Sequence, residues 1–141
     1  MIEPSRPYVR PAPWMKGIVN PIIIRFGLAP ILTVPGRRSG QRRSVPIGGP
    51  FVYNTDRYLV SGRGSTHWAR NLRAAGRGEL RTHGVTETFY AVEVTGRERE
   101  VVIGAYRQKL GRSVARLFSR IPDETDHPVF RMESIEVTGA A

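Results

Sequence analysis

The sequence contains no cysteine, which excludes a disulfide framework, a thiol nucleophile and a thiolate metal site. Its three histidines, His67, His83 and His127, lack the i, i+3 or i, i+4 spacing that sets two imidazoles on one helical face, so no metal is expected. The longest apolar region, "GIVNPIIIRFGLAPILTV", is broken by Asn20, Pro21, Arg25 and Pro30. It never reaches the roughly 18 uninterrupted apolar residues of a spanning helix. The start of the chain has no signal-peptide cleavage pattern, and the expected location is the cytoplasm.

Two further scarcities concern charge. Only Lys16 and Lys109 among the 22 basic residues are lysine. A GC-rich coding sequence would favour arginine everywhere, but guanidinium groups also grip phosphate and carboxylate oxygens in a bidentate way that ammonium does not. Acidic residues are almost missing from the first half: from Pro4 to Arg77 there are 13 Lys/Arg against Asp56 alone, while the remainder from Glu79 carries 9 basic and 10 acidic residues. The net charge of +10 therefore belongs to the N-terminal half, which favours an anionic partner: nucleic acid, a membrane surface or a phosphorylated small molecule.

What is present suffices for one domain. The 141 residues are 40% hydrophobic, enough for a core without disulfides or metal. Residues 1–13, with Pro4, Pro7, Pro11 and Pro13 among basic residues, read as an extended arm, and 14–141 as a single domain. Trp14, Met15, Ile18, Ile22, Ile23 and Phe26 recur at helical spacing, broken or kinked at Asn20-Pro21, and predict an N-terminal amphipathic helix.

"ILTV" then reads as a strand, "PGRRSGQ" as its turn, and "RSVPIGGPFVYN" as a second strand with a Gly-Gly-Pro irregularity. "YLVSG" is the third strand, and "STHWARNLRAAG" a helix capped by Ser65 or Thr66 and stopped by Gly76. "ELRTHG" and "TETFYAVEV" are strands four and five, with Tyr90, Val92 and Val94 on one face. Thr95 and Glu98 form a capping-box signal before a helix that carries Val101, Val102, Ala105, Leu110, Val114 and Leu117 and is interrupted near Gly111. "PVFRMESIEV" closes the chain as a sixth strand. About six short, mainly antiparallel strands with few helices predict an α+β protein built on a barrel-like sheet.

Two segments carry the chemistry. In "PGRRSGQRR", Gly36 and Gly40 allow positive φ and close backbone approach, and the Ser39 hydroxyl with the Arg37, Arg38 and Arg43 guanidinium groups form a concave set of donors with no carboxylate among them. A solvated hairpin tip with outward arginines is the competing reading. In "SGRGSTHWARNLRAAG", a strand ends in a Gly-Arg-Gly loop where a helix begins, so free N–H groups face the loop. On that helix Trp68, Asn71, Leu72 and Ala75 share one side; Trp68 and Leu72 alone would read as core, while Asn71 on the inward side suggests a polar task.

Together, "ILTVPGRRSGQRRSVPIGG", "GRGSTHWARNLRAAG" and the late "HPVFRM" resemble the deazaflavin (coenzyme F-420)-dependent nitroreductase and quinone reductase family. That family's pattern runs G-R-(R/K)-S-G-x-x-R, then a Pro-apolar pair in the next strand, then W-x-x-N-L, and the match spans residues 31–130 in order. The resemblance implies a split β-barrel that binds reduced deazaflavin, in preference to FMN, and passes a hydride to a quinone, nitroaromatic or activated enone. By position it implies that Arg37, Arg38, Ser39, Gly40 and Arg43 contact the coenzyme's phosphate and oligoglutamate tail. Val45, Pro46 and Ile47 would border the ring system, Ser61, Gly62, Arg63 and Gly64 form the loop beside it, and Trp68, Asn71 and Leu72 match the W-x-x-N-L segment.

The chain departs from the family in carrying Val34 where relatives often have Thr, and in having no tyrosine in "FSRIPDETDHPVF". No catalytic side chain is assigned on this basis. A non-catalytic protein of the same fold, binding a deazaflavin, flavin or lipid-like ligand, would use the same arginines. A nucleic-acid binder is disfavoured, because no helix-turn-helix, basic zipper or aromatic stacking platform accompanies the arginines. The basic, apolar N-terminal segment could lie on an anionic membrane or cover the acceptor pocket as a lid.

Overall fold

The computed structural model describes residues 29–139. The proline-rich arm, the amphipathic helix over 14–26 and the membrane or lid roles attached to it lie outside the described residues. Seven strands form one sheet: β1 (Ile31–Pro35), β2 (Arg42–Pro46), β3 (Phe51–Tyr53), β4 (Asp56–Val60), β5 (Arg77–Thr82), β6 (Val85–Glu93) and β7 (Val129–Gly139). Helix α1 (His67–Ala75) follows β4, and α2 (Gly96–Leu110) and α3 (Arg112–Arg120) precede β7, separated from it by a short 3-10 turn, Glu124–Asp126.

The order across the sheet is β2-β1-β5-β6-β7-β4-β3, and every neighbouring pair is antiparallel. The expected second strand is therefore two strands, β2 and β3, which occupy opposite ends of the order. The Gly48-Gly49-Pro50 run separates them: Gly49 sits at φ 93°, where an L side chain is strained, and Pro50 has no N–H for a ladder. Five Cα steps from Pro46 to Phe51 reach at most about 18 Å. Seven strands laid flat would hold β2 and β3 apart by about 29 Å, six spacings of about 4.8 Å. The connection can be made only if the sheet curls until its ends approach, which is the split barrel.

Two apolar clusters fill the interior. Leu32, Val34, Leu59, Leu72, Leu80, Phe89, Phe130 and Met132 pack between α1 and the concave sheet, and Tyr58, Val102, Ile103, Val114, Phe118 and Val129 pack under α2 and α3. Strand alternation brings the first cluster to one face, where Leu32 faces Leu80, Leu80 faces Glu87 and Phe130 faces Leu59 across the ladders, and turns the adjacent Tyr58 and Val129 of the second cluster to the other. Tyr90 and Val92 share the opposite face and are exposed.

Helix α1 starts at Thr66, whose hydroxyl accepts from the Ala69 N–H at 3.2 Å, and ends at Gly76 in the left-handed region (φ 72°) with its N–H bonded to Leu72 O. The break at Gly111 divides α2 from α3 as expected. The capping box does not form: Thr95 makes no side-chain cap. Glu98 instead accepts from Arg131 Nη1 at 2.7 Å and from Tyr58 Oη at 2.8 Å. An ion pair with a guanidinium, both partners charged, outcompetes a carboxylate bond to an uncharged backbone N–H, and here it fastens α2 to the sheet.

Candidate active site

The arginine turn is a tight six-residue loop between β1 and β2. Gly36 N–H donates to Gln41 O at 2.7 Å, Gly40 N–H to Gly36 O at 2.9 Å, and Ser39 Oγ accepts from Gln41 N–H at 3.2 Å. Gly40 lies at φ 74°, so its glycine is required by the backbone. Strand alternation then sorts the arginines that follow. Arg42 pairs across with Pro35 and turns outward to a bidentate ion pair with Glu79, closest approach 2.7 Å, whereas Arg43 pairs with Val34 and lines the cleft.

Arg37 is held from the opposite side. Asn71 of α1, 6% exposed, accepts through Oδ1 from the Arg37 backbone N–H at 3.1 Å and from its Nη1 at 2.8 Å. The inward position of Asn71 thus fixes the turn to the helix.

The second wall is the loop 61–64 at the end of β4. Ser61 N–H donates to Pro128 O, the Ser61 hydroxyl donates to Gly64 O, and Gly64 lies at φ 88°. Fully buried His127 secures this loop: its ring nitrogens lie 3.2 Å from Ser61 O and 2.6 Å from Ile121 O, and its ring stacks on Phe118 at 4.1 Å. Gly62 leaves room for two neighbours, because a Cβ there would stand 3.3 Å from Leu117 Cδ1 and 3.5 Å from Tyr106 Oη.

Turn and loop face a single cleft of about 1220 Å³. Of the residues expected from sequence, Arg37, Arg38, Ser39, Arg43, Val45, Pro46, Ile47, Ser61, Gly62, Arg63, Trp68 and Asn71 line it. Gly40, Gly64 and Leu72 do not: the glycines shape the bends, and Leu72, 0% exposed, belongs to the core. Trp68 is half-buried, packing on the core with its ring 6.3 Å from Phe130 while also facing the cleft.

Sequence reasoning missed the far wall, where Phe51, Tyr106, Lys109, Leu110 and Leu117 line the same space. The spacing of Tyr106, Lys109 and Leu110 just before Gly111 was the available signal, since i, i+3 and i+4 share a helical face. Burial pushes the Tyr106 phenol above its ordinary range. Among the described residues, no carboxylate lines the cleft, while four arginines and Lys109 do.

A sequence model of the F420H(2)-dependent quinone reductase family matches residues 20–120. The chain belongs to this family. No curated protein matches it by sequence. Among solved structures it is similar to an F420-H2 dependent reductase (FDR-A), at 23% identity and TM-score 0.54 over 74% of this chain and 92% of that one. It is also similar to HutZ, a heme storage protein from Vibrio cholerae, at 15% identity and TM-score 0.57 over 84% and 92%. A NimC/NimA family protein from Clostridium acetobutylicum matches at 18% identity and TM-score 0.52 over 79% and 78%. At these identities the structural likeness speaks for the split-barrel fold alone.

Family membership makes the chain a deazaflavin-dependent reductase with reduced coenzyme F-420 as its cofactor. The donor set fits that group. A cleft with several guanidinium groups, a hydroxyl and no described carboxylate at its rim suits a ligand that is itself polyanionic, and the apolar stretch at Val45, Pro46 and Ile47 suits a planar ring.

Proposed function

We propose that this reductase binds reduced deazaflavin along the cleft and passes its hydride to a quinone, with nitroaromatics and activated enones as further acceptors. The observation that carries the reading is the union, in one cleft with no carboxylate among its described lining residues, of the arginine turn, the 45–47 strand end and the 61–64 loop. Arg38, Arg43 and the Asn71-braced Arg37 hold the phosphate and oligoglutamate tail. Val45, Pro46 and Ile47 border one side of the ring, and Ser61, Gly62 and Arg63 the other, excluding water from the reacting edge. When bound, the reduced deazaflavin supplies the hydride, and the chain supplies position and field. The backbone of the turn and Arg37 are braced before binding, by Asn71 of α1 and by the bonds among Gly36, Ser39, Gly40 and Gln41, so less ordering remains to be done when the anion arrives. The basic N-terminal segment serves as a peripheral contact with anionic membrane, where a lipophilic quinone is met.

A titration of oxidised deazaflavin against FMN and NADPH, followed by anaerobic stopped-flow of the reduced coenzyme with menadione, tests the proposal. Preference for the deazaflavin and saturable reoxidation are expected. Tight binding with no reoxidation by any quinone would instead make the chain a carrier of the coenzyme.

A further inference from the structure

The far wall of the cleft is contributed by β3, α2 and α3, none of which carries a residue expected to hold the coenzyme. Phe51 opens β3, and Tyr106 of α2 meets its ring edge-on, with centroids 5.5 Å apart at 79°. Phe118 supports Tyr106 from behind at 6.4 Å, Leu110 and Leu117 add aliphatic surface, and the Lys109 ammonium stands 5.8 Å from the Phe51 centroid at the rim. Among the described residues of this wall, Tyr106 alone carries a hydroxyl. That hydroxyl points toward loop 61–64, lying 3.5 Å from where a Cβ on Gly62 would stand.

We infer that this wall is the acceptor subsite, shaped for a planar aromatic acceptor of the quinone class, and that Tyr106 Oη donates to the acceptor oxygen on which negative charge develops. The inference rests on the function proposed above, which sets the ring beside loop 61–64. Aromatic and aliphatic walls suit a flat apolar ring, and a lone donor among them orients it by one oxygen. The hydride brings two electrons and one hydrogen to the quinone and leaves one oxygen anionic. The Tyr106 O–H bond breaks as that oxygen takes the proton, giving the hydroquinone, and water returns a proton to the phenolate. Burial favours the protonated phenol beforehand, the form in which it donates.

The test is Tyr106→Phe in the full chain, which keeps both ring contacts and removes only the hydroxyl. The melting temperature should stay within a few degrees and the deazaflavin Kd within about twofold. The kcat/KM for menadione should fall by roughly 30-fold or more, toward the range seen when one preorganised donor is removed. The solvent deuterium isotope effect on turnover should also change. Gly62→Ala provides a second variant: its new Cβ would stand 3.3 Å from Leu117 Cδ1, tighter than ordinary contact, and 3.5 Å from Tyr106 Oη, and it should lower kcat/KM for menadione. Unchanged menadione kinetics in Tyr106→Phe would overturn the inference, and so would a loss confined to deazaflavin affinity, which would move the hydroxyl to the coenzyme side. Failure of the parent protein to bind deazaflavin would instead sink the proposed function, and the subsite with it.

Discussion

Replacing Asn71 by Ala separates bracing from binding. Its Oδ1 accepts one backbone N–H and one guanidinium N–H from Arg37, at 3.1 and 2.8 Å. A neutral hydrogen bond contributes about 1 kcal/mol and a charged one about 1.5–3 kcal/mol; with the guanidinium partly solvated, the sum is about 2–3 kcal/mol. For a domain of this size that lowers the melting temperature by roughly 6–12 °C, measurable by calorimetry. Because the loosened turn no longer presents Arg37 in one geometry, deazaflavin affinity should also fall about tenfold, or about 1.4 kcal/mol. Asn71→Asp is the control: it keeps an acceptor for Arg37, so the melt should drop less, yet it puts a carboxylate into a cleft that has none among its described residues, so binding should weaken more than in Asn71→Ala. An Asn71→Ala protein that melts within a degree of the parent and binds deazaflavin normally would refute the brace.

Other perturbations probe different parts of the molecule. Arg38→Ala and Arg43→Ala should each weaken deazaflavin binding by about 1.5–3 kcal/mol by titration, and the parent's affinity should fall as salt rises. Arg42→Ala, which removes an exposed ion pair on the outer face, should leave it within twofold. Trp68→Ala should reduce stability in urea by about 2–4 kcal/mol, below the full aromatic penalty because the indole is only half-buried. Glu87, hydrogen-bonded to Arg57, has its carboxyl held below the ordinary value of 4.5, and the Arg131 and Tyr58 bonds hold Glu98 below it too. Depressed carboxylates stabilise the fold above the unfolded value and lose that contribution as pH falls through the folded one, so the urea midpoint should be flat from pH 8 to 6 and decline below about pH 4.5. Glu87→Gln should lower the midpoint at pH 7 and shallow that decline.

Most of the fold was legible because its signals are local. Thr66 and Gly76 bracket α1 as capping residues do, and Gly111 divides the second helical stretch. The Gly-Gly-Pro run was visible too, but a local reading makes it a bulge within one strand; only pairing with Tyr58 and Arg57 on one side, and with Leu32 and Thr33 on the other, separates β3 from β2. The capping box failed for the same reason, since Arg131, which captures Glu98, lies 33 residues away. In the site, the G-R-R-S-G-Q-R-R turn announced itself by composition, and the period of two assigns Arg42 and Arg43 to opposite faces. Tyr106 was hidden because a tyrosine followed on its helix by Arg107 and Gln108 looks the same whether it meets solvent or a cleft; its partners Phe51 and Gly62 are brought to it only by the curl of the sheet.

The strand order also explains why the charge is lopsided along the chain. Reading β2-β1, then β5-β6-β7, then β4-β3, the N-terminal half supplies both outer pairs, and the C-terminal half is a three-stranded spacer slid between them. The two lips of the cleft are thus neighbours in sequence, joined through residues 47–50, while the spacer sets how far apart they stand. Of the cations that this half contributes, Arg37, Arg38 and Arg43 on one lip and Arg63 on the other are gathered around one opening. The same plan delays the site: a nascent chain has made both outer strand pairs by Val60, yet the mouth has no fixed width until β7 emerges and pairs with both β6 and β4.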